Sequence, residues 1–123
     1  MAKVVEFTMI GTPPSLNRFA GRENFWEYRK IKSAWTQRVR VVAKAAGVPP
    51  EPFRRARVDI CYHFADGRRR DPDNYSGKFI LDGLTKAGVI VDDDFRHIEL
   101  HLRGEIDRED PRTEIRVEET EDD

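Results

Sequence analysis

Charged residues of both signs are concentrated between residues 68 and 94 of this chain. A basic triplet stands directly before two closely spaced carboxylates, and a second acidic cluster closes the stretch. In chain order these residues are Arg68, Arg69 and Arg70, then Asp71 and Asp73, then Asp92, Asp93 and Asp94. Clustered carboxylates suit Mg²⁺, which also takes waters and substrate phosphate oxygens, and neighbouring arginines bind phosphate. The stretch therefore predicts a metal-dependent nuclease site.

The two acidic clusters can share one ion only if the chain between them turns back. A helix over residues 74–87, ended by Gly88, predicts such a turn when a short return follows it. The candidate metal ligands are then Asp71, Asp73 and Asp93, with Asp92 adjacent. Metal held there would supply the activated water and the charge neutralisation that phosphodiester hydrolysis needs. Lys78, about one turn into this helix, is placed to contact the phosphate.

A structural interpretation of the same residues stays open. The two aspartates before the helix could cap it and pair with the arginines, and the second acidic cluster could form a solvated turn. In that case Lys78 pairs with Asp82 one helical turn later. Asp82 is therefore not counted among the candidate ligands.

Hydrophobic periodicity predicts the elements that must position these residues. Alternation predicts strands at Val4–Ile10, Ala56–Phe64, around Ile98–Leu102 and at Thr113–Val117. Helical spacing predicts one long helix that follows residue 24 and ends at residue 46, and a second helix at 74–87. Residues 11–24 contain turn formers and no periodicity, so they form a loop. The order β-α-β-α-β-β predicts one α+β domain with a mixed sheet and helices packed on it.

The first predicted helix is basic as well as amphipathic. Its cationic residues are Lys30, Lys32, Arg38, Arg40 and Lys44. They form either a solvated face over a core helix or a row of phosphate contacts, and both interpretations stay open.

Cysteine and histidine give little indication of a structural metal. The single Cys61 cannot form an internal disulfide, which is typical of a reducing cytoplasm. His97 and His101 are predicted on one face of a strand, where they are more typical of surface residues than of a tetrahedral zinc site.

Composition predicts a folded cytoplasmic protein of one domain. Charged residues make up 37% of the 123 residues, yet the apolar residues fall in periodic blocks. No apolar run approaches the ~18 residues of a membrane helix. Residues 1–58 hold 12 Lys and Arg against 4 Asp and Glu, whereas residues 59–123 hold 10 against 19. We expect residues 1–117 to form the domain and residues 118–123 to form an acidic, disordered tail.

The motifs between residues 68 and 94 resemble the RusA-type Holliday-junction resolvases. That family combines a basic run, D-x-D-N, a helical lysine, D-x-L-x-x-A-G and a closing D-D, and this chain has RRRDPDN, Lys78 and DGLTKAGVIVDDD. The segment PPSLNR, which ends at Arg18, is similar to the family's PPS-x-N-x segment. The chain departs from the pattern by one extra residue before Lys78 and by the additional Asp94.

The resemblance implies a homodimeric endodeoxyribonuclease that uses Mg²⁺ to make paired symmetrical nicks in four-way DNA junctions, in DNA recombination and repair. Carried over by position, the catalytic residues are Asp71, Asp73, Asp93 and Lys78, with Asp92 beside the metal. From their charge and position beside this site, we expect the DNA-contacting residues to be Arg68, Arg69, Arg70, Lys78 and Arg18. The alternative is a non-catalytic protein that binds branched DNA architecturally and uses its acidic clusters only for structure.

Overall fold

The computed structural model describes residues 3–19 and 22–121. Within them the chain forms two α-helices and one four-stranded mixed sheet, which confirms the predicted α+β class. The strands are β1 (Val4–Ile10), β2 (Ala56–Phe64), β3 (Ile98–Ile106) and β4 (Arg112–Glu119), and the helices are α1 (Phe25–Ala46) and α2 (Leu81–Ala87). Short 3₁₀ turns cover Leu16–Phe19, Arg22–Asn24, Pro72–Asn74 and Gly77–Phe79.

The sheet has the strand order β1-β4-β2-β3. β2 and β3 are parallel, and β4 is antiparallel to β1 and to β2. Parallel strands need a crossover connection, and the chain between β2 and β3 supplies one that contains α2. Alternate residues of β2, such as Val58, Ile60 and Tyr62, are buried in the core with the helices. The opposite face of the sheet carries mainly charged and polar side chains and stays open.

Two predicted strands end later than the sequence indicates. β3 continues to Ile106, and β4 extends from Arg112 to Glu119. Glu118 and Glu119, which the sequence assigns to the tail, therefore lie in the sheet opposite Arg57 and Ala56 of β2. The last two residues of the predicted tail, 122 and 123, lie outside the described residues. In the described part of the chain, no helix is both long and apolar enough to cross a bilayer.

The two helices pack against each other with close backbone contact at Gly83. A Cβ atom at this position would lie 2.6 Å from Val39 Cβ and 2.9 Å from the carbonyl oxygen of Thr36, both in α1. Only glycine allows this approach. α1 itself begins at Phe25, directly after the predicted loop, and ends at Ala46 before Gly47, as predicted. The glycine contact brings the start of α2 close to the basic helix.

The prediction of one helix over residues 74–87 is wrong in its first half. The chain there forms two 3₁₀ turns, and α2 covers only Leu81–Ala87, about 10 Å of helix. Ser76 is extended, with ψ −178°, and this interrupts the helical path. The interruption is stabilised because the hydroxyl of Tyr62 donates a hydrogen bond to the Ser76 carbonyl over 2.8 Å. Tyr75 consequently packs edge-on against the Phe64 ring.

The return after α2 is short. Gly88 ends the helix with φ 85°, in the left-handed region that favours glycine. Phe53 then fixes the next residues, because its N–H donates to Val89 and its carbonyl accepts from the N–H of Val91. The second acidic cluster begins directly after this bridge.

Candidate active site

The basic triplet divides into one arginine that braces the loop and two whose side chains are exposed. The Arg70 guanidinium bonds the Asp66 carboxylate over 2.9 Å, donates to the Asp66 carbonyl and lies 4.3 Å above the centre of the Phe64 ring. Arg68 and Arg69 have side chains that are 84% and 89% exposed. Arg70 therefore holds the loop after β2 in place, whereas Arg68 and Arg69 project into solvent, where a phosphate backbone is accessible to them.

Asp71 stands at the start of the 3₁₀ turn Pro72–Asn74, but its side chain does not cap it. Its carbonyl accepts the Asn74 N–H, and its carboxylate is 3.2 Å from Arg69 Nε. Asp73 is exposed within the same turn, and in the described part of the chain its carboxylate has no hydrogen-bond or ion-pair partner. Neither carboxylate is used as a helix cap, so the capping interpretation fails for both.

Lys78 is exposed on the 3₁₀ turn Gly77–Phe79 rather than within a helix. Its neighbours in the chain are buried, because Phe79 is 2% exposed and a Cβ on Gly77 would lie 2.9 Å from the Leu81 side chain. The buried Gly77 and Phe79 thus hold the turn against the core, and the Lys78 side chain projects away from the core. The predicted pair between Lys78 and Asp82 does not form.

Asp82, in the first turn of α2, pairs instead with Lys32 of α1 over 2.9 Å. The hydrogen bond with Asp82 raises the pKa of Lys32, and the more distant charge of Asp93 acts in the same direction. Sequence analysis named Lys32 only among the cationic residues of the first helix and left Asp82 out of the candidate ligands, so it missed their contact. The sequence spacing does not predict a contact between residues 32 and 82, because only the packing of α1 on α2 brings them together.

Asp93 is the candidate ligand whose surroundings are most unfavourable for a free carboxylate. Burial, a hydrogen bond with the Asp92 carboxylate and the charge of Asp82 all raise the pKa of Asp93. Asp92 in turn accepts the backbone N–H of Asp93 over 2.8 Å. Asp82 of α2 and the neighbouring Asp92 therefore both act on Asp93, and Lys32 pairs with Asp82.

The predicted ligands do not lie within a single preformed cage. Among the described residues, no set of three ligand atoms within 4.8 Å of one another includes Asp71, Asp73 or Asp93. Asp92 and Asp94 do form such a set with His97, whose Nδ1 bonds the Asp94 carboxylate. The assignment of Asp71, Asp73, Asp92 and Asp93 to a metal stays a prediction.

Arg18 lies on the 3₁₀ turn Leu16–Phe19, which packs beside the turn that carries Asp73. Its guanidinium pairs with Glu27 of α1 over 2.5 Å and stacks over the Phe19 ring. The PPSLNR segment is therefore adjacent to the aspartate loop, although the two are far apart in the chain.

A sequence model of the family described as endodeoxyribonuclease RusA matches residues 11–118. The chain belongs to this family. The match covers the PPSLNR segment, both acidic clusters and all of the sheet except β1 and the last residue of β4. No curated protein gives a significant match.

Membership of the RusA family makes this protein an endodeoxyribonuclease of the Holliday-junction-resolvase type. It also gives branched DNA as the class of substrate. The resemblance inferred from residues 68–94 is thereby confirmed for the chain as a whole.

Proposed function

We propose that this RusA-family protein is a Mg²⁺-dependent homodimer that resolves four-way DNA junctions by paired symmetrical nicks, in DNA recombination and repair. The observation that carries the proposal is the interaction of Asp93 with the carboxylates of Asp92 and Asp82, which raises the pKa of Asp93. Like charges so close together are costly to keep unless a cation relieves them. The family match supplies the reaction class.

The donor set fits Mg²⁺ better than a softer ion. All of the candidate ligands are carboxylates, and hard oxygen ligands suit Mg²⁺, which binds few protein groups and keeps waters for substrate contact. Asp71, Asp73 and Asp93 would hold the ion, with Asp92 adjacent and Asp82 as a further oxygen donor. The bound ion would supply an activated water and charge neutralisation at the phosphate.

The remaining residues act on the DNA backbone. Arg68 and Arg69 are exposed and bind phosphates beside the acidic loop, while Arg70 keeps that loop in position. Lys78 stabilises negative charge at the reacting phosphate from its own turn. Arg18 adds a backbone contact next to Asp73 once it leaves Glu27.

A cleavage assay tests the metal and the substrate together. Purified protein is incubated with a labelled four-way junction and with linear duplex, in Mg²⁺ and in chelator, alongside Asp71→Asn and the control Asp110→Asn from the β3–β4 turn. We expect the junction alone to be cut, cutting to need Mg²⁺, and only Asp71→Asn to abolish it. Asp71→Asn should still bind the junction at least as tightly, because it removes negative charge near phosphates.

The result also separates the proposal from the architectural alternative. Tight junction binding with no cleavage in any divalent ion would support a purely binding protein. Unchanged cleavage in chelator would reject the metal dependence.

Paired nicking and the dimer are tested separately. Two symmetrical nicks are most simply made by two identical sites related by a two-fold axis. A supercoiled plasmid with an extruded cruciform should give linear product in one binding event, and light scattering should give twice the chain mass of 14.3 kDa. Nicked circles as the sole product, or a monomer that cuts at full rate, would reject this part. Cytoplasmic location is likewise proposed, and cell fractionation tests it.

A further inference from the structure

A second group of metal-ligating side chains lies on the open face of the sheet, away from the carboxylates discussed above. Cys61 and His63 are alternate residues of β2, and Glu105 is the cross-strand partner of His63 on β3. One ligand atom from each of the three lies within 4.8 Å of the others. Cys61 is 7% exposed and His63 is 6% exposed, so two of the three are almost fully buried.

The histidine is held in an orientation suited to metal binding. Its Nε2 lies 2.5 Å from Glu114 Oε1, and since a carboxylate only accepts hydrogen bonds, Nε2 carries the donated proton. Metal-bound histidines typically donate their second ring N–H to a carboxylate in this way, which fixes the tautomer and the ring orientation. The other ring nitrogen, Nδ1, faces Glu105.

The spacing between Nδ1 and Glu105 suits two ligands of one ion. Nδ1 and Oε2 of Glu105 are 3.9 Å apart, too far for a hydrogen bond. Two ligand atoms bound at about 2.0–2.3 Å to a tetrahedral ion are separated by roughly 3.3–3.8 Å. A small shift of the exposed Glu105 side chain would therefore complete the geometry.

We propose that Cys61 Sγ, His63 Nδ1 and the Glu105 carboxylate bind a zinc ion, with Glu114 as the residue that positions His63. A thiolate, an imidazole and a carboxylate are the ligand types zinc prefers, and this set is softer than the all-carboxylate site proposed for Mg²⁺. Three protein ligands leave the fourth position to water. A groove of about 820 Å³ over this face is lined by Cys61, Arg103 and Glu114, so it reaches the Cys61 side of the site.

Binding exchanges a proton for the metal. The Cys61 thiol loses its proton to solvent as sulfur coordinates zinc, and no oxidation or reduction occurs. Burial raises the pKa of this thiol, while a hydrogen bond from Arg103 opposes that effect. Arg103 also contacts Glu105 over 3.3 Å, and its side chain is 70% exposed, so it can leave both groups when the ion arrives.

The site would join β2 to β3 close to the end of β2. Because β2 leads into the loop of Arg68–Asp73, zinc would stabilise the strand from which that loop emerges. The expected consequence is a higher melting temperature for the whole chain, since an ion that binds only the folded state stabilises it.

Cobalt substitution tests the site, because Cys61 is the sole cysteine of the chain. Metal-free full-length protein is titrated with Co²⁺ in excess Mg²⁺, and the thiolate-to-cobalt charge-transfer band is followed in the near ultraviolet. We expect saturation near one equivalent, loss of the band on adding Zn²⁺, and release of about one proton per ion by calorimetry in two buffers. The cluster of Asp92, Asp94 and His97 has no thiolate and cannot give this band.

Matched variants assign the ligands. Cys61→Ser should abolish the band, Glu105→Gln should weaken Zn²⁺ binding at least tenfold, and Glu114→Gln should weaken it roughly 10–100-fold. Glu99→Gln is the control, because it makes the same change on the same face of β3. Circular dichroism verifies that each variant is folded. Absence of a saturable band, or equal Zn²⁺ affinity in the Glu105 and Glu99 variants, would overturn the proposal while leaving the junction assay unaffected.

Discussion

Lys32 and Asp82 show at the level of single residues why the candidate active site differs from its sequence prediction. The structural alternative for Asp82 is a pair with Lys78, four residues away on one predicted helix. The partner observed is Lys32, because α1 packs on α2 through Gly83. A cation thus already pairs with Asp82 and acts on the charge of Asp93, so it partly neutralises these carboxylates in the absence of metal.

This arrangement predicts an effect of Lys32→Met on metal binding. Removing the ammonium group leaves the carboxylates with a larger net negative charge, so Mg²⁺ should bind more tightly and raise the melting temperature further than in the parent protein. Without Mg²⁺ the loss of stability should stay under about 1 kcal/mol, because the pair is partly exposed. Thermal unfolding at several Mg²⁺ concentrations measures both effects.

Lys30→Met provides the comparison, since it removes the same charge from an exposed position of α1. An equal Mg²⁺ effect in the two variants would show that Lys32 does not act on the acidic cluster.

At the level of elements, the close contact between α1 and α2 depends on one glycine. Gly83→Ala would place a methyl group 2.6 Å from Val39 and 2.9 Å from the Thr36 carbonyl, and α2 would have to move outward. Overpacking of this kind costs about 1–3 kcal/mol, so the urea midpoint should fall. Gly67→Ala should change it little, because its Cβ would meet only Ile106 Cδ1 at 3.4 Å. Similar midpoints for the two variants would contradict the packing argument.

The contacts of Asp107 in the β3–β4 turn should make the stability of the fold depend on pH. A hydrogen bond from Arg112 and backbone N–H groups of Asp110 and Glu109 lower the pKa of Asp107 in the folded state. The stabilisation is therefore present above the ordinary pKa of aspartate and is lost as pH falls through the lower folded value. Asp107→Asn should reduce the free energy of unfolding at neutral pH. It should also make this free energy fall less steeply as the pH becomes acidic, as measured by urea unfolding. Glu109→Gln, in the same turn, should keep the parent pH profile.

The sequence predicted the strands better than the site because the two depend on different information. Alternation gave β1 and β2 with their observed bounds, since one buried face fixes a period of two. The helix over 74–87 failed because its apolar spacing cannot show that Tyr62 holds the Ser76 carbonyl outside a helix. Likewise the contacts Lys32–Asp82 and His63–Glu105 join residues far apart in the chain, so only the packing and register reveal them.

At the level of the whole molecule, the even charge balance conceals an uneven distribution. The net charge is −1, yet residues 1–58 hold 12 basic against 4 acidic residues. Much of the acidic excess lies in ion pairs on the open sheet face and in the clusters that would bind cations. The charge available to DNA is therefore local, and it includes the exposed Arg68 and Arg69 beside the acidic loop.

This distribution predicts the salt dependence of junction binding. Each arginine that contacts a phosphate releases counterions, so Arg68→Gln and Arg69→Gln should each lower the slope of log affinity against log salt by about one. Both should weaken binding to all junction sequences alike, because backbone contacts carry no sequence information. Fluorescence anisotropy with a labelled four-way junction in chelator, from low to physiological salt, gives the slopes without cleavage. Arg116→Gln, whose side chain pairs with Glu6 and Glu118 on the open sheet face, should leave the slope unchanged. A slope that falls as much in this control as in Arg69→Gln would place the DNA on the sheet rather than on the aspartate loop.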